Sequence, residues 1–398
     1  MENYTFKFYL EINNINYIFF VGKIDEENNF TIVYKLKVPL KGFDDNRISD
    51  SEEAFKVIKE NIYLAEQKLG HTFNEIVIIL ENLNPTFLNV SGYKILNGSK
   101  ILRENITYIL NSLKSCIDKT ESKKTIIHIF NSNFLLDKKK IQNLPIGLFG
   151  DFYSHELSFA LVNTNDFKNL ENIFKKCNIK IKKVLLKSFI YGAYLSNNNL
   201  NTDTFFQIKV NESDSKIIFF KNNSLKFEQN FNFGLDIIIK DIHKVTSLKK
   251  DMIKSFLSNT EFKDKTFNDE IVEKHFFVSG KFRKIKKKLI YEIAFARVNE
   301  ILELMIFKNI NLRYLNNSPK VIFFEFDSEQ QIKSLAEIYK TVFSNNNFKD
   351  LIFLDNFSTQ GMLNTTNKLV HFGWEKEAIP IARPKKSIIA RFFDRLFR

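Results

Sequence analysis

Cysteine is almost absent from the chain: its 398 residues include two, Cys116 and Cys177. They lie far apart and form no metal-binding or redox spacing, which excludes a disulfide scaffold and a cysteine-based zinc site. Two isolated cysteines are typical of a protein in a reducing compartment.

Long apolar runs and catalytic signatures are missing too. No charge-free run of about 18 apolar residues occurs, so no membrane-spanning helix is predicted. The acidic, alternating start (MENYTFKFYL) predicts a strand and not a signal peptide. There is no Walker loop and no Gly-x-Ser-x-Gly sequence, and the six histidines include no pair four residues apart. The sequence therefore predicts neither a metal site nor a catalytic constellation.

Positive charge is in excess, with 59 basic against 46 acidic residues and a net charge of +13. This balance indicates an acidic partner: nucleic acid, anionic lipid or an acidic peptide. The densest basic run is Lys281–Lys288 (KFRKIKKK). It contains a single aromatic residue, Phe282, and no RNA- or DNA-binding signature surrounds it, so nucleic acid is not expected as a partner.

The last fourteen residues, Lys385–Arg398 (KKSIIARFFDRLFR), form an amphipathic helix pattern behind Pro380 and Pro384. Its polar face is almost entirely basic, which favours a helix lying in an anionic membrane interface; a last helix docked on the protein's own core is the alternative. The predicted membrane-binding residues are Lys385, Lys386, Ile388, Ile389, Arg391, Phe392, Phe393, Arg395, Leu396, Phe397 and Arg398.

A pattern of hairpin, third strand and helix occurs twice, about 200 residues apart, which predicts an internal duplication. In the first copy, Ser49 and Asp50 are expected to cap the helix and Gly70 to end it. The predicted elements are strands 4–11, 17–22, 30–38 and 75–80 with helix 52–69, and strands 204–210, 216–221 and 224–231 with helix 235–243. Between and after the copies, helices are predicted at 99–117, 166–177, 187–195, 289–307 and 328–343, and strands at 125–129, 151–162, 179–186 and 320–326; segment 248–257 is set apart without an assigned structure.

Several segments, in order along nearly the whole chain, resemble the FtsA family of actin-like adaptors, which tether the division tubulin FtsZ to the membrane. They are Lys41-Gly42-Phe43 with Ile48-Ser49-Asp50 and Ala65-Glu66, the turn Pro145–Gly150, and Ala296–Glu303 (ARVNEILE). The resemblance implies a two-lobed actin-like α/β fold, a ribonuclease H-like duplication with an inserted SHS2-like 1C-type subdomain. The implied bounds are lobe 1 at 1–85 and 165–200, the 1C-type insertion at 86–164, lobe 2 at 201–250 and 318–378, a 2B-type insertion at 251–317, a linker at 379–384 and the membrane helix at 385–398.

The phosphate-binding turns of that fold need glycines, because backbone N–H groups must approach phosphate oxygens without an intervening Cβ. Here the first turn keeps an acid, Glu11, but has Asn13 in place of glycine, and the second carries Gln207 and Lys209 without any glycine. Acidic Asp327 stands where the family places an adenosine-binding glycine pair. These five candidate nucleotide-binding residues predict a vestigial pocket, no enzyme activity and no cofactor; ATP with magnesium is the cofactor the fold would otherwise take.

The resemblance also implies the partners. The FtsZ C-terminal tail, a helical peptide with acidic residues, is expected to bind near Arg283, Lys284, Lys287 and Arg297. Anionic lipids, other divisome proteins and self-association into filaments are further implied, at the cytoplasmic face of the inner membrane and the division site. A PilM-like pilus adaptor, which normally lacks the tail, and an active actin-like ATPase are the alternatives.

Overall fold

The structure is a computed structural model that describes residues 6–25, 28–81, 83–198, 202–259, 269–312, 321–326, 333–348, 350–355 and 357–378. These residues form two compact units. Unit 1 contains the described residues up to 186, except 28–30, together with 368–378. Unit 2 contains residues 28–30 and 187–367.

Among the described residues, unit 1 contains three sheets, one of them a two-stranded hairpin, and three helices. Its elements are β1 (Lys7–Ile12), β2 (Asn16–Ile24), β3 (Phe30–Pro39), β4 (Phe43–Asp44), β5 (Arg47–Ile48), α1 (Ser51–Leu69), β6 (Glu75–Leu80), β7 (Thr86–Ile95), α2 (Arg103–Thr120), β8 (Lys124–Leu136), β9 (Lys139–Ile141), β10 (Phe152–Asn163), α3 (Thr164–Lys176) and β11 (Lys180–Leu186).

Unit 2 contains one sheet and a larger share of helix. Its elements are α4 (Lys187–Asn198), β12 (Phe205–Val210), β13 (Ser215–Lys221), β14 (Ser224–Phe231), α5 (Leu235–Thr246), α6 (Lys250–Asn259), α7 (Lys287–Leu302), β15 (Val321–Phe326), α8 (Lys333–Asn345), β16 (Asp350–Leu354) and α9 (Thr359–His371). A π-helical turn, Glu303–Phe307, continues α7.

The five-stranded sheets of the two units have the same topology. Their orders are β11-β6-β1-β2-β3 and β16-β15-β12-β13-β14. In each sheet the first two strands form an antiparallel hairpin. On the other side of its first strand lie two further strands, both parallel to that first strand. The predicted duplication is therefore confirmed, and its third strands, β3 and β14, stand at equivalent edges.

Local sequence signals explain why these elements form where they do. The carboxylate of Asp50 accepts hydrogen bonds from the N–H groups of Glu52 and Glu53 and so caps α1. Gly70 ends that helix in the left-handed conformation, with φ of 58°. β6 (EIVIIL) is buried along almost its whole length because it lies between two parallel neighbours.

The insertion of unit 1 is a four-stranded sheet in the order β7-β10-β8-β9, and α2 packs on one face of it. It enters after β6 and ends with β10, and part of its buried side chains form two clusters, one around Tyr153 and one around Phe159. The insertion of unit 2, from α6 to the π-helical turn, has its buried side chains in the same cluster as the unit 2 sheet.

Two segments lie in units other than the lobes expected from the sequence. Helix α4, expected in lobe 1, belongs to unit 2, where Gly192 packs so closely on Phe220 that a Cβ would lie 1.9 Å from the ring. Residues 368–378, expected in lobe 2, belong to unit 1, where Glu377 contacts His128 and Lys183. Long-range packing, which local patterns do not encode, decides both placements.

Candidate nucleotide turns and partner-binding surface

The first candidate turn joins β1 to β2 and satisfies its own backbone. The side-chain oxygen of Asn13 accepts hydrogen bonds from the N–H groups of Ile15 (3.0 Å) and Asn16 (2.7 Å). The Asn13 amide also donates to the buried carboxylate of Glu11 at 3.4 Å. The N–H groups that a phosphate-binding turn presents to its ligand are thus already hydrogen-bonded within this turn.

The second candidate turn joins β12 to β13 and is closed by Asn211 and Asp214. The Asn211 side chain donates to the Asp214 carboxylate at 2.7 Å. The carbonyl oxygens of Asn211 and Glu212 accept the first N–H groups of α5, from Leu235 (3.0 Å) and Asp236 (2.9 Å). Gly234 permits this approach, since a Cβ there would lie 2.4 Å from the Asn211 oxygen.

Gln207 is in the middle of β12, on the face opposite the main core of unit 2. Its side chain is 2% exposed, and its amide forms no hydrogen bond with any described residue. An amide carries no charge with which to bind a metal ion, so Gln207 does not fit the carboxylate role at a nucleotide–magnesium site.

Lys209, two residues further along β12, forms an ion pair within unit 2. Its ammonium lies 3.4 Å from the carboxylate of Glu325, which is 1% exposed. The Tyr191 hydroxyl donates to the other Glu325 oxygen at 2.6 Å. Burial and the adjacent carboxylate of Glu325 raise the pKa of Tyr191, so the phenol keeps its proton and remains a donor. The positive charge of Lys209 is thus neutralised within the unit; Asp327 lies outside the described residues.

The basic run has two halves with different electrostatic surroundings. Lys286 and Lys288 pair with Asp269 (2.7 Å) and Glu292 (3.4 Å), and Lys287 pairs with Glu270. At the other end, Lys281, Arg283 and Lys284 are exposed and form no ion pair with a described residue. The Arg283 guanidinium donates to the Ser247 hydroxyl at 3.2 Å, which leaves its charge uncompensated.

Exposed apolar side chains stand beside both halves of the basic run. Phe282 is 45% exposed and meets Phe277 edge-on at 5.2 Å between ring centroids. Ile271 is also exposed and lies beside the ion-paired half, where it forms a β-bridge with Lys286. Arg283 and Lys284 therefore lie next to one exposed aromatic ring, that of Phe282, whereas Lys287 is part of the ion-paired half. Ile271 was not predicted from the sequence, since its bridge partner Lys286 is fifteen positions further along the chain and no local pattern joins them.

Arg297 lies on α7 and holds that helix to α5. Its guanidinium pairs with Asp241 on α5 and, at 2.7 Å, with Glu300 on its own helix. Its charge is thus already engaged within unit 2, and its role in peptide binding stays a prediction.

The segment that precedes the linker is fixed to the insertion of unit 1. The Asn131 N–H donates to the Lys376 carbonyl oxygen (2.6 Å), and the Ala378 N–H donates to the Ile129 carbonyl oxygen (2.7 Å). Residues 376–378 therefore lie beside β8 in an antiparallel bridge. Glu377 bonds His128 at 3.0 Å and Lys183 at 2.8 Å. The predicted membrane-binding residues, Lys385–Arg398, lie outside the described part of the chain.

No helix among the described residues is both long and apolar enough to cross a membrane. Within the same residues, no group of three or more His, Cys, Asp or Glu side chains is arranged to hold a metal ion.

No family model and no curated protein sequence matches the chain. Among solved structures, the PilM–PilN type IV pilus biogenesis complex matches with a TM-score of 0.53 at 8% identity, over 92% of this chain and 95% of that one. MreB 5 of Spiroplasma citri bound to AMPPNP matches with a TM-score of 0.41 at 11% identity, over 93% and 96%. EutJ from Carboxydothermus hydrogenoformans matches with a TM-score of 0.40 at 9% identity, over 93% and 90%. The chain therefore has the actin-like α/β fold, as predicted. At such identities the similarity shows the fold alone, and membership of the FtsA family stays a prediction.

Proposed function

We propose that this protein is a peripheral adaptor at the cytoplasmic face of the inner membrane, which recruits FtsZ to the division site and helps to assemble the divisome. The observation that carries the proposal is the basic amphipathic segment Lys385–Arg398, which begins seven residues after Ala378, where the chain is hydrogen-bonded to unit 1. A membrane helix on a short linker holds the attached body close to the bilayer.

The partner surface in this proposal is the uncompensated half of the basic run with its apolar border. Arg283, Lys284 and Lys281 supply positive charge, and Phe282 and Ile271 supply apolar contact. A short helical peptide with acidic and apolar residues, such as the FtsZ C-terminal tail, complements both features. Self-association into filaments and contacts with other divisome proteins belong to the same proposal.

The adaptor acts by proximity and does not hydrolyse ATP. Asn13 occupies the N–H groups of the first turn, Gln207 cannot ionise, and Glu325 neutralises Lys209. These three features support a pocket that has lost nucleotide and magnesium. Isothermal titration with ATP and ADP tests this part, and micromolar binding would contradict it.

Recruitment is tested by binding a labelled FtsZ-tail peptide to the full chain. We expect Arg283→Glu with Lys284→Glu to weaken binding about tenfold or more, because two attractive charges become repulsive, and the wild-type affinity to fall with salt. Lys56→Glu with Lys59→Glu on α1 is the matched control, with the same change in net charge. Equal affinity of the two double variants would remove Arg283 and Lys284 from the surface.

Localisation is tested with a fluorescent fusion of the full chain and of a chain ending at Pro384. Midcell rings from the first and diffuse signal from the second are expected. A shortened chain that still reaches the membrane would refute the tail as tether.

A PilM-like pilus adaptor is the second candidate, because the PilM–PilN complex has a TM-score of 0.53 with this chain. Titration with PilN in place of the FtsZ tail separates the two: binding to PilN, without binding to the FtsZ tail, would favour the pilus adaptor.

A further inference from the structure

The far end of the unit 1 insertion exposes a concentration of apolar side chains. Of the twenty large apolar side chains exposed among the described residues, nine lie between residues 93 and 152. Six of them form what we name the apolar tip: Tyr93 and Ile95 from the end of β7, and Leu144, Ile146, Leu148 and Phe149 from the turn between β9 and β10.

The backbone of this turn is held in place, so its side chains are presented outward by a fixed scaffold. The Gly147 N–H donates to the Ile101 oxygen (2.9 Å), and the Ile101 N–H donates to the Leu148 oxygen (2.8 Å). Gly147 adopts a φ of +92°, a conformation that favours glycine. Phe149, at the end of the turn, is 70% exposed although its backbone is bridged to Lys100.

Basic residues surround the apolar tip. Residues 94–104 and 136–152 contain six bases and three acids, a net charge of +3. One of the acids, Asp137, has a side-chain oxygen that accepts the backbone N–H groups of Asp151 and Phe152, so it is turned toward the backbone. The exposed ends of Lys138 and Lys139 stand on the hairpin between β8 and β9.

An apolar surface with lysines around it matches an anionic bilayer better than another protein. Lysine is depleted at protein–protein interfaces. At a membrane, its flexible stem lies along apolar groups while the ammonium reaches the lipid phosphates, and aromatic side chains are favoured at the same depth.

The tip and the tail are within reach of the same surface. Lys376, just before the linker, donates to the Gln142 oxygen (3.3 Å) at the start of the tip turn. The six linker residues 379–384 extend at most about 20 Å, and the stretch of β8 from Ile129 to Leu136 is about 23 Å long. Because the tail is itself a predicted helix of about 20 Å, it and the tip can lie on one bilayer.

We propose that the apolar tip is a second membrane contact, which inserts among anionic lipids beside the C-terminal tail and sets the orientation of unit 1 on the bilayer. The inference rests on the proposed membrane tether. Two linked weak contacts bind more tightly than either alone, since the first raises the local concentration of the second.

The test uses the full chain and phosphatidylcholine vesicles with and without phosphatidylserine. Leu148→Ser with Phe149→Ser is expected to weaken binding to the anionic vesicles about tenfold, because two exposed apolar groups are lost. Phe372→Ser is the matched control, since Phe372 is also in unit 1 and is 71% exposed, and it should bind like the unaltered chain. If the tip variant also binds like the unaltered chain, the proposal is overturned.

Insertion itself is measured in a chain whose native Trp374 is replaced by Phe, with Phe149→Trp and, as control, Phe372→Trp. Brominated lipids should quench the added tryptophan in the first variant and not in the second. Absence of quenching at position 149 overturns the proposal. So does loss of self-association, without loss of vesicle binding, in the Leu148→Ser, Phe149→Ser variant, since that assigns the tip to a second copy of the chain.

A tail variant, Phe392→Asp with Phe393→Asp, separates this inference from the proposed function. If the tail variant loses vesicle binding and the tip variant does not, the tether stands and the tip contact fails. If the tip variant loses binding and the tail variant does not, the tail fails as the tether and the tip is supported as a contact of its own.

Discussion

The two insertions differ in how they are built. The insertion of unit 1 has two buried clusters under α2, while α3 packs against β8 and β10, and His128 with Glu377 and Lys183 joins the insertion to β11 and the C-terminal segment. The insertion of unit 2 has no such separation: buried residues of α6 and α7 belong to the same cluster as β12, β13 and β15. An insertion with buried clusters separate from the duplicated core can change its outer surface with less effect on that core than an insertion whose buried side chains all belong to it. The apolar tip and the proposed partner surface therefore stand on insertions that are packed differently.

The largest expected loss of stability comes from large-to-small substitutions that create a cavity in a buried cluster of each insertion. Phe159→Ala should cost about 3–5 kcal/mol and Leu302→Ala about 2–5 kcal/mol, because both side chains are fully buried. Hydrogen exchange should show lost protection within residues 86–163 for the first variant. For the second, the loss should extend to β12, β13 and β15. Loss confined to α6 and α7 in Leu302→Ala would show that the two insertions are alike.

Glu377→Ala should break the connection between the unit 1 insertion and its neighbours. It leaves Lys183 and the buried His128 without their shared carboxylate, so we expect a loss of about 2–3 kcal/mol. Amide exchange at Asn131 and Ala378 should accelerate, because their hydrogen bonds hold the same junction. Glu377→Gln is the conservative control and should lose less; equal exchange rates in all three proteins would contradict the role of this junction.

Acid should destabilise the unit 1 insertion through its histidines. Burial lowers the pKa of His155 to about 4, and the His155 Nε2 lies 2.9 Å from the Asn131 side-chain oxygen. Burial also lowers the pKa of His128, against the opposing effect of Glu377. A histidine with a lowered pKa stabilises fully above its unfolded value near 6.5, and this contribution is lost as the pH falls through 6.5 toward the folded value.

For His155 alone, the loss between pH 7.5 and pH 5 is about 2 kcal/mol. Denaturant unfolding followed at both pH values should therefore show a smaller difference for His155→Gln. His275→Gln, at an exposed histidine of the other insertion, should keep the wild-type difference. An unchanged difference in His155→Gln would show that His155 does not titrate as described.

The smallest expected effect concerns the ion pair between α5 and α7. Arg297 and Asp241 are each about one quarter exposed, so Asp241→Asn should cost no more than about 1 kcal/mol. The same variant should leave FtsZ-tail binding unchanged if Arg297 serves packing only. A several-fold change in affinity would indicate that Arg297 belongs to the proposed partner surface.

Elements with strong local signals were predictable, and weakly patterned ones were not. Asp50 and Gly70 mark the limits of α1, and the duplicated hairpins alternate clearly. Strand β7 (TFLNVSGYKI) was not predicted, because it is an edge strand paired only with β10 and much of it is polar or exposed. β16 and α9 were missed as well, although they complete the second copy of the sheet and its following helix.

For the candidate sites, too, some features could be predicted from the sequence and others became visible only in the folded chain. The loss of glycine at the two turns is visible in the sequence, but the compensation is not: Asn13 closes the first turn, and Glu325 neutralises Lys209 from a strand more than one hundred residues away. Likewise, the basic run predicts a cationic surface, and only the folded chain shows that Asp269 and Glu270 neutralise part of it.

By itself, the sequence determined the duplicated strand–helix pattern, the absence of glycine from the two candidate turns and the amphipathic character of Lys385–Arg398, because each depends on residue type at short, regular spacing. The tertiary structure alone decided that α4 packs in unit 2, that residues 376–378 are held against β8, and that the tip of the inserted sheet remains uncovered among the described residues. The physical reason is that burial and pairing are decided by which surfaces meet after the chain has folded, and those surfaces come from segments far apart in sequence.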